Sequence, residues 1–205
     1  PAYVTRKIPK MSDDYDIRLY YEYMKFNEIT GLCSVEFSKL GNANKLLALV
    51  GHKGRWNEDV KEKFAKGNDI TATDVSELDI TDEKAVFEFI NNLKPDYIIN
   101  CAAFTAVDKA EECYELADKI NGDGPTNLAK AAKASGSKLV HISTDYVFGG
   151  NLDLSKDYKE DDKKEPVTVY GKTKLHGEQG IENNMDEYYI FRTAWLYGVG
   201  GNNFV

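Results

Sequence analysis

From residue 46 onward the sequence predicts an α/β domain built on a mostly parallel sheet. Three observations carry this. Short, continuous apolar runs such as LLALV (46–50) read as strands buried on both faces, because a half-exposed strand would alternate. Longer segments with apolar residues at helical spacing lie between them. The two kinds alternate at short intervals, the pattern of strand–helix–strand units with right-handed crossovers.

The elements follow in order. LLALV (46–50) is the first strand, and a loop with two glycines follows it. EDVKEKFAKG (58–67) predicts a helix ended by Gly67. The β-branched NDITATD (68–74) is strand-like. TDEKAVFEFINNLK (81–94) opens on a cap-like Thr81, places Val86, Phe87, Phe89, Ile90 and Leu93 near one face, and is stopped by Pro95. DYIINCAA (96–103) predicts a buried strand, 107–119 a helix, and 125–135 a second helix with Pro125 in its first turn. KLVHIS (138–143) is a strand, a loop runs through residue 166, TVYGKTKLHGEQGIENN (168–184) is helical despite its glycines, and YYIFRT (188–193) is a strand. The expected architecture is a Rossmann-like doubly wound parallel sheet with helices on both faces. In such sheets ligands sit beyond the carboxyl ends of the strands.

Residues 1–45 differ. MSDDYDIRLYYEYMKFNEIT is rich in Tyr and charge without a clean period, and SVEF within GLCSVEFSKL could hold a short strand. This segment reads either as the tail of an upstream domain or as an extension packed on the main one. The division expected is an N-terminal extension over 1–45 and a nucleotide-binding domain over 46–205. The opening Pro1 without Met and the apolar end GNNFV predict a piece of a longer protein.

Bulk composition narrows the function. The 205 residues are 42% hydrophobic and 29% charged, enough for one domain with a real core. A net charge of −8 argues against a nucleic-acid or anionic-membrane surface, which needs clustered Lys and Arg. No apolar run approaches the roughly 18 residues of a membrane span, and PAYVTRKIPK has no apolar signal core. Cys33, Cys101 and Cys113 are too few for a disulfide framework, so a reducing cytoplasm is expected.

Candidate site residues lie where the strands end. Gly51 and Gly54 follow the first strand, where glycines let a backbone approach a pyrophosphate at a helix N-terminus. A plain strand–helix turn reads equally well, and Asn57 occupies the third glycine position. Asp74 ends the second strand, placed for an adenosine ribose or for a simple turn, and Asp79 and Ile80 could line an adenine pocket. Ala102 and Ala103 are small enough for a flat ligand to lie against the backbone, or simply for close packing. Cys101 reads as a small buried residue and His141 as an ordinary strand residue, with no second His or Cys at metal spacing. Ser143, Thr144, Asp145 and Tyr146 crowd polar groups after an apolar strand.

VYGKTK (169–174) then gains meaning. Tyr-x-x-x-Lys occurs three times, as Tyr3/Lys7, Tyr21/Lys25 and Tyr170/Lys174, but only the last follows such a strand end. Tyr170 and Lys174 share a helix face that can lie beside Thr144. A free phenol with a pKa near ~10 is a poor acid–base at neutral pH, and a nearby ammonium is expected to lower it by ~1–3 units. Thr144 could hold a carbonyl oxygen, and hydride delivery would need a cofactor.

From residue 46 to 205 the chain resembles an extended short-chain dehydrogenase/reductase, and within that group the dTDP-4-dehydrorhamnose reductase family. The strings that carry the resemblance are ELDITD (77–82), KPDYIINCAAFTAVDKAE (94–111), HISTDYVFGG (141–150), VYGKTKLHGEQ (169–179), FRTAWLYG (191–198) and GNNF (201–204). The resemblance implies Thr144, Tyr170 and Lys174 as a catalytic triad. Tyr170 would protonate the C4 oxygen of a keto sugar as NADPH or NADH delivers hydride to C4, and Lys174 would also hold the nicotinamide ribose. It implies a dTDP-sugar substrate, no nucleic acid and no membrane, and leaves a homodimer open. Asp74 leans toward NADH, since a 2′-phosphate would meet its charge; the family uses both.

Two departures stand out. The family pattern Thr-Gly-x-x-Gly-x-x-Gly has Val50 for Thr and Asn57 for the last Gly here. The family also continues for roughly a further third of its length, which supplies much of the sugar-nucleotide site. The altered loop motivates a second reading, a non-catalytic binding subunit like the β subunit of methionine adenosyltransferase. A third is another extended reductase or epimerase on a different nucleotide sugar.

Overall fold

The computed structural model describes residues 3–7, 24–26, 33–35, 46–50, 69–150 and 158–194. Gly51, Gly54, Asn57, the helix expected over 58–67 and the strings from residue 195 onward lie outside the described residues. The elements are β1 (Tyr3–Lys7), β2 (Met24–Phe26), β3 (Cys33–Val35), β4 (Leu46–Val50), β5 (Asp69–Thr73), α1 (Glu83–Leu93), β6 (Tyr97–Asn100), α2 (Val107–Glu112), α3 (Tyr114–Asp118), a π-helical turn (Lys119–Asp123), α4 (Gly124–Ser135), β7 (Lys138–Thr144), a 3₁₀ turn (Asp145–Val147), α5 (Val169–Asn184) and β8 (Tyr188–Thr193).

Six strands form one sheet in the order β1-β8-β7-β6-β4-β5. β5, β4, β6, β7 and β8 run parallel. The chain steps from β4 outward to β5, then returns past β4 to β6, so strand order reverses between β4 and β6. A ligand crevice of a doubly wound sheet opens at that reversal. α1 packs on α4 and α4 on α5, a helical layer over the sheet. Val50, Ile98, Leu139 and Ile190 meet Val86, Ile90, Leu128 and Ile181 in the core between them.

β1 pairs antiparallel with β8, so residues 3–7 are an edge strand of the main sheet. This removes Tyr3/Lys7 from any helix. β2 and β3 form a separate antiparallel ribbon, with β3 shifted one residue before the expected SVEF.

Local chemistry corrects several boundaries. α1 is capped by Asp82 rather than Thr81: Asp82 Oδ1 accepts the Ala85 amide at 3.0 Å, and a carboxylate also suits the positive end of the helix. β6 stops at Asn100 rather than residue 103, because the Ala102 amide turns to Asn100 Oδ1 at 3.0 Å. The single helix expected over 107–119 is broken at Cys113, where φ −126° and ψ 46° leave the helical region. The π-helical turn then brings Asn121 round to bond the Phe104 amide at 2.8 Å.

Candidate active site

α5 places the central side chains. The Thr168 hydroxyl caps it by accepting the Gly171 amide at 3.0 Å. Tyr170, Lys174 and Glu178 then recur every fourth residue and meet β7 and its end. The glycines of α5 are required by this docking. A Cβ at Gly171 would run into the Tyr146 carbonyl oxygen, and one at Gly177 into that of Asn121. The helix accepts their cost in propensity, roughly 1 kcal/mol each, because close approach is gained.

Thr144 ends β7 and is 5% exposed. Its Oγ1 accepts the Tyr146 amide at 3.2 Å and lies 3.2 Å from Asp145 Oδ1. The Thr144 side chain lies close enough to the Tyr170 phenol to act on its charge. The Tyr146 ring meets Tyr170 edge-on, with centroids 5.6 Å apart. Burial pushes the Tyr170 phenol up to about 12; the Thr144 side chain opposes this, and Asp145 and Tyr146 add to it. The lowering expected from Lys174 is therefore not what the fold produces. Burial of the ring outweighs the neighbouring groups, and Tyr170 is a fully protonated donor at neutral pH.

Lys174 is 1% exposed. Its Nζ donates to the Ile142 carbonyl at 2.7 Å and lies 3.4 Å from His141 Nε2. Burial lowers the Lys174 ammonium to about 8, against the opposing pull of Glu178 and Cys101. His141 is fully buried, with Nδ1 3.0 Å from Asn100 Nδ2. Burial, and then the Lys174 charge, hold the imidazole well below its ordinary 6.5. His141 is thus tied to the site, not an ordinary strand residue.

One turn further along α5, Glu178 forms a buried clamp. Arg192 Nε and NH2 donate to its two oxygens at 2.8 Å each, and the Ser143 hydroxyl donates at 2.6 Å. Arg192 NH1 also reaches the Glu160 carbonyl at 3.0 Å, tying down the loop before α5. The clamp fixes α5 on β7 and β8.

The remaining predicted residues divide. Asp74 follows β5 beside the reversal, and its Oδ1 accepts the Val75 amide at 2.9 Å. Asp79 is exposed, and its carboxyl lies below the usual range because it accepts hydrogen bonds from the Thr81 amide and side chain. The Ile80 side chain is 5% exposed and packs in the core against Gly124. Ala102 and Ala103 follow β6 at the reversal, half-buried like Cys101. Thr144, Tyr170 and Lys174 come together as expected. The sequence does not by itself single out Asn100, Glu178 or Arg192, and it reads His141 as an ordinary strand residue. Of these, only Glu178 had a signal along the chain, as the next member of the four-residue row Tyr170, Lys174.

A reversing parallel sheet, with a Thr at a strand end beside the Tyr of a helical Tyr-x-x-x-Lys, is the arrangement of a short-chain dehydrogenase/reductase domain. The family model described as RmlD substrate binding domain matches residues 45–205, and the chain belongs to that family. It is 50% identical over 142 residues to the dTDP-4-dehydrorhamnose reductase of Mycolicibacterium smegmatis, covering 69% of this chain and 42% of the relative. It is 41% identical over 162 residues to that of Salmonella typhimurium, covering 77% and 54%. Among solved structures, a dTDP-4-dehydrorhamnose reductase of Bacillus anthracis in complex with NADP is 40% identical with a TM-score of 0.73, over 78% of this chain and 57% of that one. The chain spans about half the length of the curated relatives it matches.

Proposed function

We propose that this chain carries the cofactor half and the proton-handling residues of an NAD(P)H-dependent reductase that converts the C4 keto group of dTDP-4-dehydro-L-rhamnose to dTDP-L-rhamnose. The observation that carries the reading is the placing of Tyr170 beside Thr144 at the end of β7, with Lys174 one turn on. NADPH or NADH, when bound, supplies the hydride. The residues present suit such a group. Ala102 and Ala103 are small residues just beyond the carboxyl end of β6, and Asp74 follows β5, on the far side of β4. An ammonium has three N–H groups, and the Ile142 carbonyl takes one from Lys174, leaving donors for ribose hydroxyls.

In this reading Thr144 orients the carbonyl oxygen. Tyr170, held as a phenol by burial, gives its proton to that oxygen as negative charge develops there. Lys174, lowered by burial to about 8, donates hydrogen bonds beside it and adds positive charge when protonated. The decisive variant is Tyr170→Phe, measured on a chain extended to the length of its relatives. Loss of turnover by roughly 10²–10⁴-fold, with cofactor binding retained, is expected. Unchanged reduction of the keto sugar would sink the proposal.

Asn57 in the glycine loop supports a second reading, a nucleotide-binding subunit without turnover. Titration with NADPH and NADH, read by tryptophan fluorescence and followed by a panel of sugar nucleotides, separates the two. Saturable binding with turnover on a different sugar would retain the reductase chemistry and reassign the substrate.

A further inference from the structure

Under α5, Asn100, His141 and Lys174 form a buried chain in which the reductase reading gives Asn100 and His141 no task. The direction of each hydrogen bond follows from the donors that cannot change. The Ala102 amide is a donor, so the Asn100 atom it meets at 3.0 Å is the carbonyl Oδ1. The Asn100 amide nitrogen, 3.0 Å from His141 Nδ1, therefore donates to it. A neutral imidazole that accepts at Nδ1 carries its one proton on Nε2. That nitrogen lies 3.4 Å from Lys174 Nζ. An ammonium has no lone pair, so Nε2–H would face a second donor. The neutral amine has one and accepts, while still donating to the Ile142 carbonyl at 2.7 Å.

We propose that Asn100 and His141 are positioning residues for Lys174: Asn100 locks His141 as the Nε2–H tautomer, and that N–H presses the Lys174 amine toward its neutral, proton-accepting form. The other groups around Lys174 are consistent with a balance. Glu178 on α5 and Cys101 after β6 favour the charged form, burial opposes it, and Tyr170 stands one turn back on α5. The inference leans on the reductase reading only for what Lys174 does there.

The test uses the full chain without cofactor or substrate, so its failure and that of the reductase reading are separable. The chain has three histidines, and His141 is assigned by its disappearance in His141→Leu. Long-range proton–nitrogen correlation spectra are expected to show His141 protonated at Nε2 across neutral pH. Side-chain carbon spectra of labelled lysine are expected to place the Lys174 midpoint below those of exposed lysines. That midpoint should move up by about one unit in His141→Leu. An Nδ1–H pattern overturns the proposal, as does a Lys174 midpoint that stays put in the folded variant. Should His141→Leu fail to fold, Asn100→Ser marks the ring by shifting its signals, and the tautomer of the unaltered chain decides.

Discussion

Two polar networks lie one helical turn apart under α5, and they are built on opposite principles. The Ser143–Glu178–Arg192 group is closed: a carboxylate receives two guanidinium donors and a hydroxyl. The Asn100–His141–Lys174 group is open: the amine meets only neutral groups there, the Ile142 carbonyl to which it donates and the His141 ring, so its charge finds only partial compensation. Both are buried to the same degree. Burial alone therefore does not make a group reactive; the satisfaction of its charge decides. The closed network anchors the helix, and the open one keeps a lysine near its switching point.

The largest effect is expected from breaking the closed network. Glu178→Gln leaves the Arg192 guanidinium uncompensated and should cost about 3–5 kcal/mol of unfolding free energy in urea. Pairing Glu178→Leu with Arg192→Met should recover part of that loss; a cost equal to the single change would show that packing, not charge, sets it.

The open network should respond with the opposite sign. Lys174 falls from 10.5 unfolded to about 8 folded, so its charge opposes folding by on the order of 3 kcal/mol wherever both states are protonated. That penalty is complete below about pH 8 and is relieved as pH rises toward 10.5, because there the unfolded chain binds more protons. Lys174→Met is thus expected to be more stable than the parent at neutral pH, with the gap closing as pH rises. A parent chain more stable than Lys174→Met at neutral pH would refute the contrast between the networks.

A smaller loss, about 1–3 kcal/mol, is expected for Gly177→Ala, whose Cβ would meet the Asn121 carbonyl oxygen against which α5 docks. The smallest belongs to the surface pair Lys130–Glu83, joined at 2.8 Å with both side chains exposed. Lys130→Ala should change stability by roughly 0–1 kcal/mol, and less in high salt.

Much of the architecture was legible along the chain. Apolar runs matched β4 and β8 residue for residue, since a strand buried on both faces needs continuous apolar sequence. The row Tyr170, Lys174 after a polar strand end marked α5, since helical spacing is a local property. Break points were less legible. Cys113 interrupts a helix, and Asn100 ends a strand through its own side chain, because each is settled by a hydrogen bond to a distant or turned-back partner.

What the sequence by itself determined is the α/β rhythm and the family, and it named Thr144, Tyr170 and Lys174 as candidates. What only the tertiary structure decided is their chemistry. The parallel register of β6 and β7 sets Asn100 opposite His141, 41 residues away, and so reaches Lys174. Proximity of Tyr to Lys predicts a lowered phenol, yet the folded surroundings raise Tyr170 and lower Lys174. The physical reason is that spacing tells which groups can meet. The free energy of their charges depends on how much water the whole fold removes from around them.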